Sequence, residues 1–464
     1  MSGRAWGILL VLCGTIFIEG ADVAMMGVAL ASIQSDLGMS TSALQWVVSG
    51  YVLGYGGFML LGGRAADLLG RRRMFLGWLT VFLAFSGLGG FATEGWMLIT
   101  ARFMTGIAAA FMTPAGLSII TTRFPEGPAR NKALLVYAGT GGAGFSLGLV
   151  VGGLLTAVDW RWVFFAPVLL SATLLLAAFR LIPADRDIRP TFSGFDLGGA
   201  GTITASMLLL VYAVVRAPEV AIAQTLGLGA ASIAFMIAFV AIERRSATPL
   251  VRLGIFRSGA LVRSNIAAML FAGSFAGFQF LVVLYLQQVR GWSPLETGLA
   301  LMIAGVDAVL APTVTPKLVE RFGTIRIIIV GTTLGAIGYG LFLRVGADSP
   351  YVSDMLPTMI LIGLAFALAY GPLTIAATDG IAAGEQGLAG GILYTSWQFG
   401  SALGLAAVTA IKLTEADETS LDGFHAALFV PVVAVIASAL VVSLGLRARR
   451  DPRARVRKFV PASD

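Results

Sequence analysis

Residues 6–33 read WGILLVLCGTIFIEGADVAMMGVALASI. The run is longer than the roughly 20 residues a helix needs to cross a hydrocarbon core of about 30 Å. Its middle carries two acids, Glu19 and Asp22. A carboxylate at the centre of such a helix costs about 2.5–3.5 kcal/mol on insertion scales. On a helix, positions i and i+3 share a face, so the two acids point the same way.

The rest of the chain is built like this stretch. Of its 464 residues, 57% are hydrophobic and 12% are charged. Soluble domains carry about 25% charged residues, so a polytopic membrane protein is expected. Fourteen apolar runs are long enough to span, and their continuity argues for helices rather than the alternating strands of a barrel. The first run is too long for the apolar core of a cleavable signal, so it is expected to stay as an anchor. The single cysteine, Cys13, excludes a disulfide within the chain. No Cys/His/Asp arrangement, phosphate loop or metal-ligand cluster is present, so neither an enzyme nor a cofactor is expected.

The net charge of +7 forms no single patch, which argues against nucleic acid. With the N-terminus inside and fourteen spans, 26 of the 32 Lys and Arg fall on the cytoplasmic side. The positive-inside rule then places both termini in the cytoplasm of a cell (inner or plasma) membrane.

A repeat divides the chain. Moved by 253 residues, Arg64, Asp67, Gly70 and Arg73 fall on Lys317, Glu320, Gly323 and Arg326. Moved by 256, Gly144 and Gly148 fall on Gly400 and Gly404. This gives a six-helix bundle at 1–182 and a linker at 183–264 with two inserted spans and an interfacial amphipathic segment. A second six-helix bundle follows at 265–447, and a basic tail at 448–464.

Several motifs carry a resemblance. The loop Gly63-Arg64-Ala65-Ala66-Asp67-Leu68-Leu69-Gly70-Arg71-Arg72-Arg73 resembles the signature loop of the major facilitator superfamily, G-x-L-a-D-r-x-G-r-k. Leu98, Arg102 and Gly106 fit that superfamily's l-x-x-x-R-x-x-q-G, with Thr105 in place of Gln. Gly144, Gly148, Gly152 and Gly153 resemble its antiporter motif, with Leu149 where a proline is usual. Trp160-Arg161-Trp162-Val163-Phe164-Phe165 resembles the opening of span six in fourteen-span drug:proton antiporters. Asp22, Val28, Ala29, Leu30 and Ile33 match that family's first-helix motif, with Gly27 for Asn and Ala31 for Pro.

The resemblance implies an all-α major facilitator fold of two six-helix bundles plus two inserted helices. It implies a transporter that exports lipophilic, cationic drugs by alternating access in exchange for protons. Asp67 with Gly63, Gly70, Arg71 and Arg72 would form a gating loop. Asp22, on the motif, is the expected proton site, with Arg102 tuning it. Glu19 rests on geometry alone; it is a second candidate for proton coupling and is expected to make the cavity acidic and so to select the substrate. Asp22 and Arg102 equally suit a fixed ion pair that only holds helices together, and Glu19 a cavity wall without coupling. Asp307 is a further intramembrane charge with either a role or a packing position. Met26, Tyr51, Tyr55, Phe278, Tyr394, Trp397 and Gln398 are candidate cavity residues, since polarizable and aromatic walls suit apolar cations. A dedicated exporter of one endogenous metabolite, such as an antibiotic or a siderophore, fits the same residues. A non-transporting receptor would have no use for the retained acids.

Overall fold

The computed structural model describes residues 3–124, 128–183, 196–217, 220–247, 249–381, 386–412 and 421–450. Sixteen α-helices account for most of them. The first six are α1 (Gly3–Leu37), α2 (Thr41–Leu69), α3 (Arg71–Gly90), α4 (Gly95–Arg123), α5 (Pro128–Val158) and α6 (Trp162–Leu181). Then come α7 (Leu197–Arg216) and α8 (Ile222–Arg245), followed by a 3-10 turn at Leu253–Arg257. The rest are α9 (Gly259–Leu284), α10 (Pro294–Met302), α11 (Asp307–Thr313), α12 (Thr315–Phe322), α13 (Thr324–Phe342), α14 (Leu356–Thr378), α15 (Gln386–Lys412) and α16 (Leu421–Arg450). The second group of helices thus starts at Gly259, ahead of the boundary read at 265.

Thirteen helical segments among the described residues are long and apolar enough to cross a membrane. α15 completes the expected fourteen by length: its 27 residues span about 40 Å at 1.5 Å per residue. Its hydropathy is lowered by the polar run Tyr394-Thr395-Ser396-Trp397-Gln398. The continuous span expected near 296–316 is interrupted. A 3-10 turn at Ile303–Val306 separates α10 from α11, and there Ser146 Oγ on α5 donates to the Gly305 carbonyl at 3.4 Å. Hydropathy is continuous across this turn, so the sequence carried no sign of the break.

Glycines set how closely the helices approach. A Cβ on Gly148 would lie 2.7 Å from Ala21 Cα, and one on Gly152 would lie 2.6 Å from Met25 Cα. Gly144 meets the Phe17 backbone, and Gly20 meets Gly141 from the other side. α1 and α5 are therefore zipped backbone to backbone, the packing small residues allow in lipid. α9 and α15 repeat this arrangement, with Gly400 against Met269 and Gly404 against Gly273. The repeated loops match as well: Gly70 (φ 102°) and Gly323 (φ 86°) hold the same left-handed junction between helices.

The halves meet along α2–α15 and α5–α10. α7 lies against both α2 and α15, and Thr204 Oγ1 donates to the Gly57 carbonyl at 2.9 Å. α8 is tied to α7 by Ser206 and Ser232 and presents Ile222, Leu226, Ile233, Phe235 and Ile237 outward. The interfacial segment is amphipathic as expected. Val251 and Ile255 are buried, while Arg252 and Arg257 are exposed.

Candidate functional site

Close packing of α1 on α5 and of α2 on α4 carries the intramembrane charges to one place. Asp22 on α1 is 2% exposed and pairs with Arg102 on α4, Nη1 to Oδ2, at 2.5 Å. The Arg102 guanidinium also lies over the Tyr51 ring, 4.4 Å from its centroid. Charge, hydrogen bond and ring face together offset the cost of burying both ions.

Glu19, one turn away on the same face, has a different setting. It is 4% exposed. Thr113 Oγ1 on α4 donates to its Oε2 at 2.6 Å, and the Tyr55 hydroxyl is a second hydrogen-bond partner. Tyr55 in turn donates to Thr113 Oγ1 at 3.1 Å. These partners are neutral hydroxyls, so the charge of Glu19 is balanced by a proton or by a cation from outside the chain. Thr113 was missed in the sequence. It stands eleven residues after Arg102, three helical turns on, which was the available signal.

Aromatic rings continue from Glu19 into the second half. Tyr51 and Tyr55 are 5.8 Å apart, centroid to centroid, and Tyr55 and Tyr394 are 5.2 Å apart. Trp397 packs edge-on to Tyr370 at 4.9 Å and to Phe366 at 5.6 Å. Phe275 adjoins Phe366 at 4.9 Å.

The other expected positions divide. Met26 is buried on α1, and Gln398 is buried against Gly56 on α2. Phe278 packs on Tyr339 and Phe342 of α13, at 4.8 and 5.2 Å, and so sits among helices of the second half. Asp307 is half-buried at the start of α11, whose neighbours include α5 and α14. The expected gating loop is helical apart from Gly70: Gly63 lies inside α2, six residues before its end, and Gly70 makes the turn into α3. The side chains of Arg64, Asp67 and Leu68 lie outside the described residues. Arg72 donates to the Ile182 carbonyl at 2.7 Å and the Phe179 carbonyl at 3.1 Å, fastening α3 to the end of α6. Arg71 beside it is half-buried. Of the four motif glycines, Gly144, Gly148 and Gly152 face α1, while Gly153 faces Leu295 on α10. They form the packing surface behind the acid-bearing helix and touch the other half at one end.

At the far end of α1, two glutamines cross between halves. Gln287 Nε2 donates to the Val28 carbonyl at 2.9 Å, and Gln288 Nε2 donates to Gln34 Oε1 at 2.6 Å. Both lie in a π-helical turn, Tyr285–Val289, that ends α9.

Two helical bundles around buried intramembrane charges define a multi-pass membrane transporter. Residues 12–405 match the model of the Major Facilitator Superfamily, and the chain belongs to that family, in its fourteen-span drug-efflux branch. It is 36% identical over 428 residues to a puromycin resistance protein of Streptomyces alboniger, covering 88% of this chain and 82% of that one. It is 33% identical over 411 residues to a cephamycin export protein of Amycolatopsis lactamdurans, covering 87% and 84%. A crystal structure of a peptide transporter in complex with sulfate superposes with a TM-score of 0.70 at 16% identity, covering 95% of this chain and 94% of that one. That likeness concerns the fold.

Proposed function

We propose that this protein exports lipophilic cationic compounds across the cell membrane by exchanging them for protons at Glu19. The observation that carries the reading is the contrast between the two acids. Asp22 already has a cation, Arg102, within hydrogen-bonding distance. Glu19 is equally buried but is held by Thr113 and Tyr55 hydroxyls. A proton and a drug cation can therefore compete for Glu19, and that competition is the minimum an antiporter needs. This reverses the order expected from the motif, with Glu19 as the exchange site and Asp22–Arg102 as the pair that sets its surroundings.

With the N-terminus cytoplasmic, the Gln287 and Gln288 ties lie at the outer side. The conformation is then closed at the outer side. The rings from Tyr55 to Trp397 suit the aromatic body of a substrate. Asp67, Arg71 and Arg72 would stabilise one gate state on the cytoplasmic side.

A second reading has its own support. The two relatives are each named for one antibiotic, which favours a dedicated exporter of a single endogenous metabolite. Proteoliposomes carrying an internal pH dye, challenged in turn with puromycin, ethidium and a neutral antibiotic, test both. Proton movement with several unrelated cations supports multidrug exchange, and movement with one compound alone supports the dedicated exporter. Unchanged coupling in Glu19→Gln would sink the assignment of Glu19.

A further inference from the structure

A second pair of acids is buried away from the central charges. Asp196 is 7% exposed and Glu243 is 4% exposed. Asp196 stands just before α7, where its Oδ1 accepts from the Gly199 amide at 2.7 Å. Glu243 lies in the last turn of α8, where its Oε2 accepts from the Val251 amide at 3.1 Å. Each carboxyl thus holds one backbone amide with one oxygen. The other oxygen of each, Asp196 Oδ2 and Glu243 Oε1, is buried without a hydrogen-bond partner. The two groups converge on one glycine. A Cβ on Gly199 would lie 2.5 Å from Glu243 Oε1 and 3.0 Å from Asp196 Cγ. Any larger residue at 199 would push Glu243 away from Asp196.

Two carboxylates buried side by side repel, and neither would have a counter-charge. The cations on the elements packed here are Arg244 and Arg245 on α8, Arg252 and Arg257 on the interfacial segment, and Arg263 on α9. The first four are exposed, and Arg263 lies against Gly445 of α16. None of them donates to the two open oxygens. Two oxygens fall short of the about six to eight that a hard metal cation collects. A single proton satisfies both.

We propose that Asp196 and Glu243 hold one proton between them and form a proton-binding clasp for the interfacial segment. The N-terminus of α7 favours charge on Asp196, and the C-terminus of α8 disfavours it on Glu243. The proton therefore sits on Glu243 Oε1 and is donated to Asp196 Oδ2. The clasp holds a strap. Val251 and Ile255 share an apolar cluster with Phe239 of α8, Leu261 of α9 and Ile392 of α15, and Leu60 of α2 packs against it. The segment thus bears on both sides of the α2–α15 seam between the halves. With the N-terminus cytoplasmic, this is the cytoplasmic end of the seam. As pH rises, the proton leaves for cytoplasmic water and two carboxylates face each other at Gly199. The segment that Glu243 holds through Val251 then comes loose. Cytoplasmic pH thereby sets the freedom of the seam, at a site separate from Glu19.

Glu243→Gln tests the proton. Its amide donates to Asp196 and accepts from Val251, so it copies the protonated acid and has no charge to gain. In detergent, its thermal midpoint should match that of the unaltered protein within about 2 °C at about pH 6, and exceed it by about 4 °C or more at about pH 9. A lower midpoint at both pH values means that both charges are needed, as around a metal ion, and overturns the shared proton. Equal midpoints at both overturn it too. The strap is read separately. In a Cys13→Ser background, the rate of Ile255→Cys with 2-aminoethyl methanethiosulfonate is measured with and without Glu243→Gln, and the ratio removes the thiol's own titration. The protein with Glu243 intact should react at the same rate at about pH 6 and at least about tenfold faster at about pH 9. A ratio that stays near one at both overturns the clasp. Neither assay uses a transported drug or touches Glu19, so failure of the exchange reading would leave both results standing.

Discussion

The two halves of the molecule share a scaffold and differ at its centre. Phe17 and Ala21 of α1 pack on α5 as Met269 and Gly273 of α9 pack on α15, an offset of 252 residues. By that offset Glu19 corresponds to Phe271 and Asp22 to Ser274. Gly106 on α4 meets the Tyr51 backbone as Gly363 on α14 meets the Ala304 carbonyl, an offset of 257. Arg102 then corresponds to Met359. Every charge at the centre of the first half has an uncharged counterpart in the second. Phe271 packs with Trp397 at 5.9 Å, and Ser274 bonds its own helix at the Phe271 carbonyl. The same glycine-packed frame thus supports an ionic core on one side and an aromatic one on the other. On the proposed exchange reading, coupling would belong with the first and the apolar body of the substrate with the second.

The largest effect should come from removing the acid held by hydroxyls rather than by an arginine. Glu19→Gln should lower substrate-driven proton movement by about 100-fold, the scale seen when a proton-transferring group is lost. A pH dye inside proteoliposomes reads it. Next is giving the first half the second half's residue. Arg102→Met leaves Asp22 buried without its cation and should cost about 3–5 kcal/mol, read as a fall in thermal unfolding midpoint in detergent. Asp22→Asn added to it should recover most of that stability and none of the coupling. Recovery of transport in the double variant would break the division between ionic and aromatic halves.

The shared frame predicts equal responses. Gly148→Ala and Gly404→Ala each push a Cβ into a facing backbone, and each should cost about 1–3 kcal/mol. A large difference between them would mean that one seam opens in the cycle and the other does not. On the aromatic side, Trp397→Ala should raise the KM for aromatic cations about threefold to tenfold and leave proton stoichiometry unchanged. Phe235→Ala, on the outward face of α8, should change stability by less than about 0.5 kcal/mol.

Much of the frame was legible in the sequence. Hydropathy is a local property, and it found the spans. Glycines four residues apart mark close helix packing wherever they occur, so Gly144 and Gly148 announced their partners Gly400 and Gly404. Gly70 and Gly323 were visible because a left-handed junction needs a residue without a Cβ. The α10–α11 break was hidden, because Ile303, Ala304 and Val306 are as apolar as a helix through lipid. Phe278 was expected in the cavity on composition alone. The rotation of α9 instead turns it onto α13.

The site shows where local reading stops. Helical period alone puts Glu19 and Asp22 on one face, and insertion cost alone demands a partner for them. Neither says which acid Arg102 takes. The two carboxylates differ by about 4.5 Å along the axis of α1, and the choice depends on how far α1 is slid and turned against α4. That offset is set by the glycine seam with α5, a contact between residues more than 120 positions apart. Thr113 and Tyr55 reach Glu19, and Gln288 reaches Gln34, through the same long-range packing. Chemistry and periodicity are written in neighbouring residues, whereas pairing is decided where distant helix surfaces fit together.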